Sequence, residues 1–160
     1  MKGGWLLILL ALTTALTLFA ADRDLPVMLT VGSISEVRGR AGDSLTVTIP
    51  LKVTRGYHVN ANPAANDLYI PLEVTFADTS FAEIGQPCYP KGRMWQLRGI
   101  EEALLVYSGK VKIRVPLRIP KDVSAGEYAL EGTIDYQACD DEVCFMPESR
   151  AVSIPLRVTP

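Results

Sequence analysis

The chain has 160 residues, 48% of them apolar and 21% charged, with 16 Lys plus Arg against 18 Asp plus Glu. A formal charge of −2 makes a poor non-specific nucleic-acid binder, and the length suits one compact domain with its own core rather than two. Eleven Pro and twelve Gly scattered among many β-branched residues fit a β-rich globule, not a disordered chain.

At the N-terminus, Lys2 precedes an apolar run from Trp5 to Leu12, which continues more weakly through Leu16, Leu18 and Phe19 to Ala20-Ala21. One cation, an apolar stretch and small residues at its end are the parts of a secretory signal, expected over 1–21 with the domain over 22–160. An uncleaved membrane anchor is the alternative, since Gly3 to Ala21 is nearly long enough to span a bilayer. Export places the chain in an oxidising compartment, where disulfides persist.

Period-two alternation governs the rest. The pattern predicts strands at Leu29 to Val37, Leu45 to Val53, Leu68 to Phe76, Ala103 to Tyr107, Val111 to Ile119, Glu127 to Ala138 and Val152 to Val158. Val111 to Ile119 is the cleanest: every odd position is apolar, and the even ones are three cations and a proline. The stretch from Ala77 to Gly99 reads as a long surface loop or a weak strand between two loops. No segment of comparable length keeps an apolar face at helical spacing. The expected fold is an all-β, immunoglobulin-like two-sheet sandwich, with a closed barrel as runner-up. Four short motifs repeat an aliphatic-Pro-Leu-charged-aliphatic pattern around Pro50, Pro71, Pro116 and Pro155. Proline supplies no ladder donor, so these residues are expected at sheet edges, strand starts or bulges.

Three cysteines follow the leader: Cys88, Cys139 and Cys144. Cys139 closes one alternating strand and Cys144 opens the next segment, with Asp140-Asp141-Glu142-Val143 as a tight connection. If the strands pair across that turn, the two cysteines fall within disulfide reach. A ring this small stabilises a fold by about 2 kcal/mol, little for a structural staple. Three readings stand at this point: a plain hairpin disulfide, a reactive pair and a metal site. The three carboxylates would raise thiolate pKa values if they lay close, and no helix N-terminus is available to lower them. Zinc would require His58 together with all three cysteines, and copper would add Met94 or Met146.

The run Tyr136-Gln137-Ala138-Cys139-Asp140-Asp141-Glu142-Val143-Cys144-Phe145-Met146-Pro147 resembles the signature of a known family. That family is the N-terminal periplasmic domain of the transmembrane thiol:disulfide interchange protein of Gram-negative bacteria. Gly56-Tyr57-His58-Val59-Asn60, Tyr69-Ile70-Pro71-Leu72, Cys88-Tyr89-Pro90-Lys91-Gly92 and Val106-Tyr107-Ser108-Gly109 support the resemblance in order. It implies an immunoglobulin-like fold with a redox pair, Cys139 and Cys144, on one hairpin. Cys144 would bond the partner and Cys139 would resolve that bond. Tyr57, His58, Asn60, Trp95, Tyr136, Asp140 and Phe145 are the residues expected to line the site.

The implied activity is relay of electrons from a thioredoxin-like or membrane-embedded donor to periplasmic acceptors such as isomerases, cytochrome maturation proteins or peroxide-reducing proteins. It needs no cofactor, no nucleic acid and no small-molecule substrate, and the donor is expected to be a separate protein. Four residues separate the cysteines where some members have five, and Arg93 to Arg98 lacks the aromatic cap that follows acidic residues in the best-known members. Trp95 is either a replacement lid or ordinary core. The competing function is an envelope binding or structural module with an inert 139–144 disulfide, and a copper or zinc carrier stands third.

Overall fold

The computed structural model describes residues 26–99 and 101–160, so the expected leader over 1–21 lies outside the described residues. Twelve strands follow in order: β1 Leu29–Val31, β2 Val37–Arg40, β3 Ser44–Val53, β4 His58–Asn60, β5 Glu73–Phe76, β6 Glu83–Ile84, β7 Arg93–Gln96, β8 Ala103–Tyr107, β9 Lys110–Arg118, β10 Gly126–Tyr136, β11 Ala138–Cys139 and β12 Glu148–Thr159. They form three four-stranded sheets, ordered β1-β3-β9-β6, β2-β12-β10-β5 and β11-β4-β8-β7. The first two enclose one core, as expected of an immunoglobulin-like sandwich. Neither shares a ladder with the other among the described residues, so the barrel alternative falls.

Alternation in the long strands sets which side chains are buried. Val47, Ile49 and Leu51 of β3 stand opposite Val115, Ile113 and Val111 of β9, and all six are buried. Leu130 faces Ile154 in the second sheet, with Ile134, Val152 and Leu156 buried beside them. Each such side chain contributes about 1.5–3 kcal/mol on burial. The intervening Lys110, Lys112 and Arg114 remain in water.

The third sheet carries Cys139, and two chain crossings build it. Ser108-Gly109, with Gly109 in the left-handed region at φ 65°, turns the chain from β8 into β9 of the first sheet. Gln137 carries it from β10 of the second sheet into β11, which pairs with β4. Tyr107 fastens the loops beneath: its hydroxyl donates to the Pro90 carbonyl at 2.7 Å and accepts from the Asn62 amide at 3.1 Å.

Several expectations need correction. Leu29 to Val37 is two strands in different sheets, because the chain crosses at Gly32, whose amide donates to the Pro50 carbonyl. Within Leu68 to Phe76 only Glu73–Phe76 is strand; the carbonyls of Ile70 and Leu72 are taken by the side-chain amides of Asn60 and Asn62. Ala77 to Gly99 holds β6, β7 and a bridge between Cys88 and Arg114. Pro50, Pro116 and Pro155 lie inside β3, β9 and β12, each flanked by strands on both sides. The leucine after each one pairs with an end residue of a short neighbour: Leu51 with Val31, Leu117 with Ile84 and Leu156 with Val37. Each proline therefore sits where a flanking ladder stops and no donor is required.

Candidate redox site

Cys139 and Cys144 form a disulfide with S–S 2.05 Å and Cα atoms 3.9 Å apart. Asp140 builds the turn between them. Its Oδ1 accepts the amides of Glu142 and Val143, both at 2.8 Å, while its own amide donates to the Val143 carbonyl at 3.0 Å. These amides, Val143 foremost, hold the Asp140 carboxyl below its ordinary pKa. The Phe145 amide then donates to the Ala138 carbonyl at 2.8 Å and closes the hairpin. Glu142 pairs with Arg98 at 3.2 Å. Two of the three carboxylates expected to burden the thiols are thus engaged in building and pinning the turn.

The two sulfurs occupy different surroundings. Cys139 is 0% exposed and packs with Leu97, Leu104 and Val106, against which Tyr69, Trp95 and Cys144 rest. Cys144 is half-buried. Its neighbours Val143 and Met146 are 52% and 80% exposed.

β4 lies directly beside the buried cysteine, with His58 opposite Cys139. The imidazole stacks on the Trp95 indole, centroids 4.2 Å apart and planes 25° off parallel. Burial lowers the His58 pKa from its ordinary 6.5; the Asp141 charge opposes this and the Arg93 charge reinforces it. Its Nδ1 is buried with no hydrogen-bond partner among the described residues.

Asn60, 1% exposed, donates through Nδ2 to the Ile70 carbonyl and to Gln137 Oε1, both at 3.2 Å. Gln137 in turn donates through Nε2 to the Phe145 carbonyl at 3.1 Å. The ring of Phe145 meets Tyr57 edge-on at 5.8 Å. Asn60 and Gln137 therefore tie β4, the segment around Ile70 and the cysteine hairpin into one unit.

The structure thus gathers His58, Asn60, Trp95 and Asp140 around the cysteines, while the Tyr57–Phe145 ring pair packs on the main core at the hairpin's end. Tyr136 stands apart in the main core, its hydroxyl donating to Glu148 Oε2 at 2.7 Å and its pKa raised by burial. Trp95, on β7, lies over His58 and packs into the cysteine cluster, so it covers as well as fills. Sequence reasoning missed Gln137, Leu97 and Tyr69 as site residues; Gln137, inside the cysteine signature, and Tyr69, inside a supporting segment, carried a signal, and Leu97 carried none. Cys88 is an exposed free thiol bridged to β9, and no three His, Cys, Asp or Glu side chains converge as metal ligands among the described residues.

Residues 28–156 match the family model described as thiol:disulfide interchange protein DsbD, N-terminal. The chain belongs to this family. Among solved structures it is similar to the reduced DsbD N-terminal domain of Neisseria meningitidis, with 18% identity, 72% of this chain and 78% of that one covered, and TM-score 0.43. The N-terminal periplasmic domain of ScsB from Proteus mirabilis gives 12% identity and TM-score 0.51, covering 79% of this chain and 44% of that one. A complex between the DsbD and PilB N-terminal domains of Neisseria meningitidis gives 16% identity, 83% and 88% coverage, and TM-score 0.48. No curated protein is significantly similar in sequence. A DsbD N-terminal domain with a disulfide-forming cysteine pair is an arrangement suited to thiol–disulfide exchange.

Proposed function

We propose that residues 22–160 form an exported, periplasmic relay that accepts electrons from a dithiol donor protein and passes them to a client disulfide. The observation that carries this reading is the unequal burial of the two cysteines, with Cys144 only half-buried and Cys139 sealed in an apolar cluster. A donor thiolate attacks the Cys144 sulfur; the 139–144 bond breaks and Cys139 leaves as a thiolate that takes up a proton from solvent. The donor's second thiol then attacks the mixed disulfide, releasing reduced Cys144 and an oxidised donor. The reverse sequence on a client disulfide returns both electrons and restores the 139–144 bond. Both electrons reside in the thiols, so no dissociable cofactor takes part.

The remaining residues act as supports. Asp140 holds the hairpin in its tight turn, Asn60 fixes it to β4, His58 and Trp95 stack beside the buried Cys139, and the Phe145–Tyr57 ring pair anchors the far side of the hairpin on the main core. The exposed side chains of Val143 and Met146 beside Cys144 offer a partner an apolar foothold. Both the membership in a periplasmic domain family and the N-terminal apolar run of 1–21 support export.

The test equilibrates the protein in glutathione buffers and counts freed thiols by mass-tagging. A pair that opens reversibly between roughly −120 and −270 mV supports the relay. In the Cys139→Ser protein, the Cys144 thiolate is then expected to attack a client disulfide and hold the client as a mixed disulfide, because the thiol that would displace it is gone. A bond closed below about −300 mV refutes the relay and leaves a structural module.

A further inference from the structure

A groove of about 610 Å³ runs along the outer face of β9 and up to the third sheet. Five of its eleven lining residues are cationic, namely Lys91, Arg93, Lys110, Lys112 and Arg114, and none is acidic, although the chain as a whole carries −2. Strand periodicity makes the row: Lys110, Lys112 and Arg114 alternate with buried Val111 and Ile113 and so share one face over about 13 Å. Lys52 stands opposite Lys110 across the ladder and adds to the same field. None of the ion pairs among the described residues engages Lys91, Lys110, Lys112 or Arg114.

The groove is continuous with the redox sheet. Arg93, the first residue of β7, donates to the Ser108 hydroxyl. Arg93, Val106 and Ser108 also line the smaller cleft formed with His58, Met94 and Trp95. His58 feels Arg93 from this side and Asp141 from the hairpin side. A protein seated on Cys144 and the His58–Trp95 wall would therefore extend over the cationic row.

We infer that this groove is the docking arm of the redox site and that it takes an acidic face of the exchanging partner protein. The inference rests on the relay reading and adds the partner's chemistry. A row of uncompensated cations continuous with the cleft at His58 and Trp95 raises the encounter rate with a negatively charged partner, and added salt removes the gain.

The test measures the rate at which a reduced thioredoxin of net negative charge opens the 139–144 bond, each rate normalised to that with dithiothreitol. The combined Lys110→Glu, Lys112→Glu and Arg114→Glu protein is expected to lose about tenfold in this ratio at about 10 mM salt, with the loss vanishing near 0.5 M. Lys112→Glu alone should lose more than Lys121→Glu, a matched charge reversal beyond the far end of β9. A fluorescein-labelled deca-glutamate peptide, read by anisotropy, should bind the native protein and not the triple variant. A normalised rate within twofold of native, or equal losses for Lys112→Glu and Lys121→Glu, overturns the inference. Loss of binding to phosphatidylglycerol vesicles with the thioredoxin ratio unchanged overturns it in favour of a membrane surface. Failure of dithiothreitol to open the bond sinks the relay instead, and the peptide measurement still decides the groove.

Discussion

Reducing the Cys139–Cys144 bond removes a cross-link that closes a ring of sequence separation five. In the chain-entropy account, such a ring restricts the unfolded chain by about 7 cal/mol/K, or about 2 kcal/mol at room temperature. The hairpin is held independently of the sulfurs by the Asp140 turn, the Phe145–Ala138 bond and the Gln137–Asn60 link, so the folded state should survive reduction. The oxidised protein should therefore unfold about 2 kcal/mol above the reduced one, a urea midpoint shift of about 1 M at a typical slope. The same cycle fixes a second quantity: about 1.4 kcal/mol corresponds to 30 mV for two electrons, so the pair should be about 45 mV more reducing in the folded protein than in urea. Urea melts of both forms, with potentials measured in buffer and in denaturant, supply all four legs. Coincident melts, or a gap above about 4 kcal/mol, refute the reasoning, because the bond would then be neutral to the fold or would hold it together.

His58 is the chain's one histidine, so its titration by proton NMR reads a single group. Its midpoint should fall below 6.5, move lower still in Asp141→Asn and rise in Arg93→Gln. The unfolded chain then binds more protons between the lowered folded value and 6.5, so this contribution to stability is complete above about 6.5 and is lost as pH falls through the folded pKa. A midpoint at or above 6.5 contradicts the burial argument. Gly132→Ala puts a Cβ 2.3 Å from the Thr75 carbonyl oxygen and 2.8 Å from the Phe76 ring, which forces β5 off β10. It should cost about 1–3 kcal/mol in a urea melt, and an unchanged midpoint would refute the register. Asn60→Ala strips Gln137 Oε1 and the Ile70 carbonyl of a donor and should destabilise by about 1–3 kcal/mol. It should also speed proteolysis near Ile70, and native-like resistance there would count against the tie.

The sequence was most informative where one face of a long strand is buried. In β3, β9, β10 and β12 the side-chain period of two is the burial pattern itself, so Val47 to Val53 or Val111 to Leu117 announce their strand and their buried face without reference to any partner. The cysteine hairpin was legible for a similar reason, since its two sulfurs and the capping Asp140 all lie within six residues. Strands β4, β6 and β7 have two to four residues, too short to show a period, and β4 and β6 exist because of pairings made far along the chain, such as Val59 with Tyr107 and Ile84 with Leu117.

The site's walls belong to that second class. His58 meets Trp95 across 37 positions and Asn60 meets Gln137 across 77, contacts created only when β8 turns at Gly109 and β10 passes into β11. The prolines teach the same lesson. Their missing donor is a local fact, but where a donor is not needed depends on where the neighbouring strand ends. Unequal exposure of Cys139 and Cys144 is likewise a tertiary outcome, because Leu97, Leu104 and Val106, which bury one sulfur, come from other strands and loops. Local chemistry and alternation thus determined the fold class and the cysteine hairpin. Packing between distant segments decided which cysteine is fully buried and what stands against it.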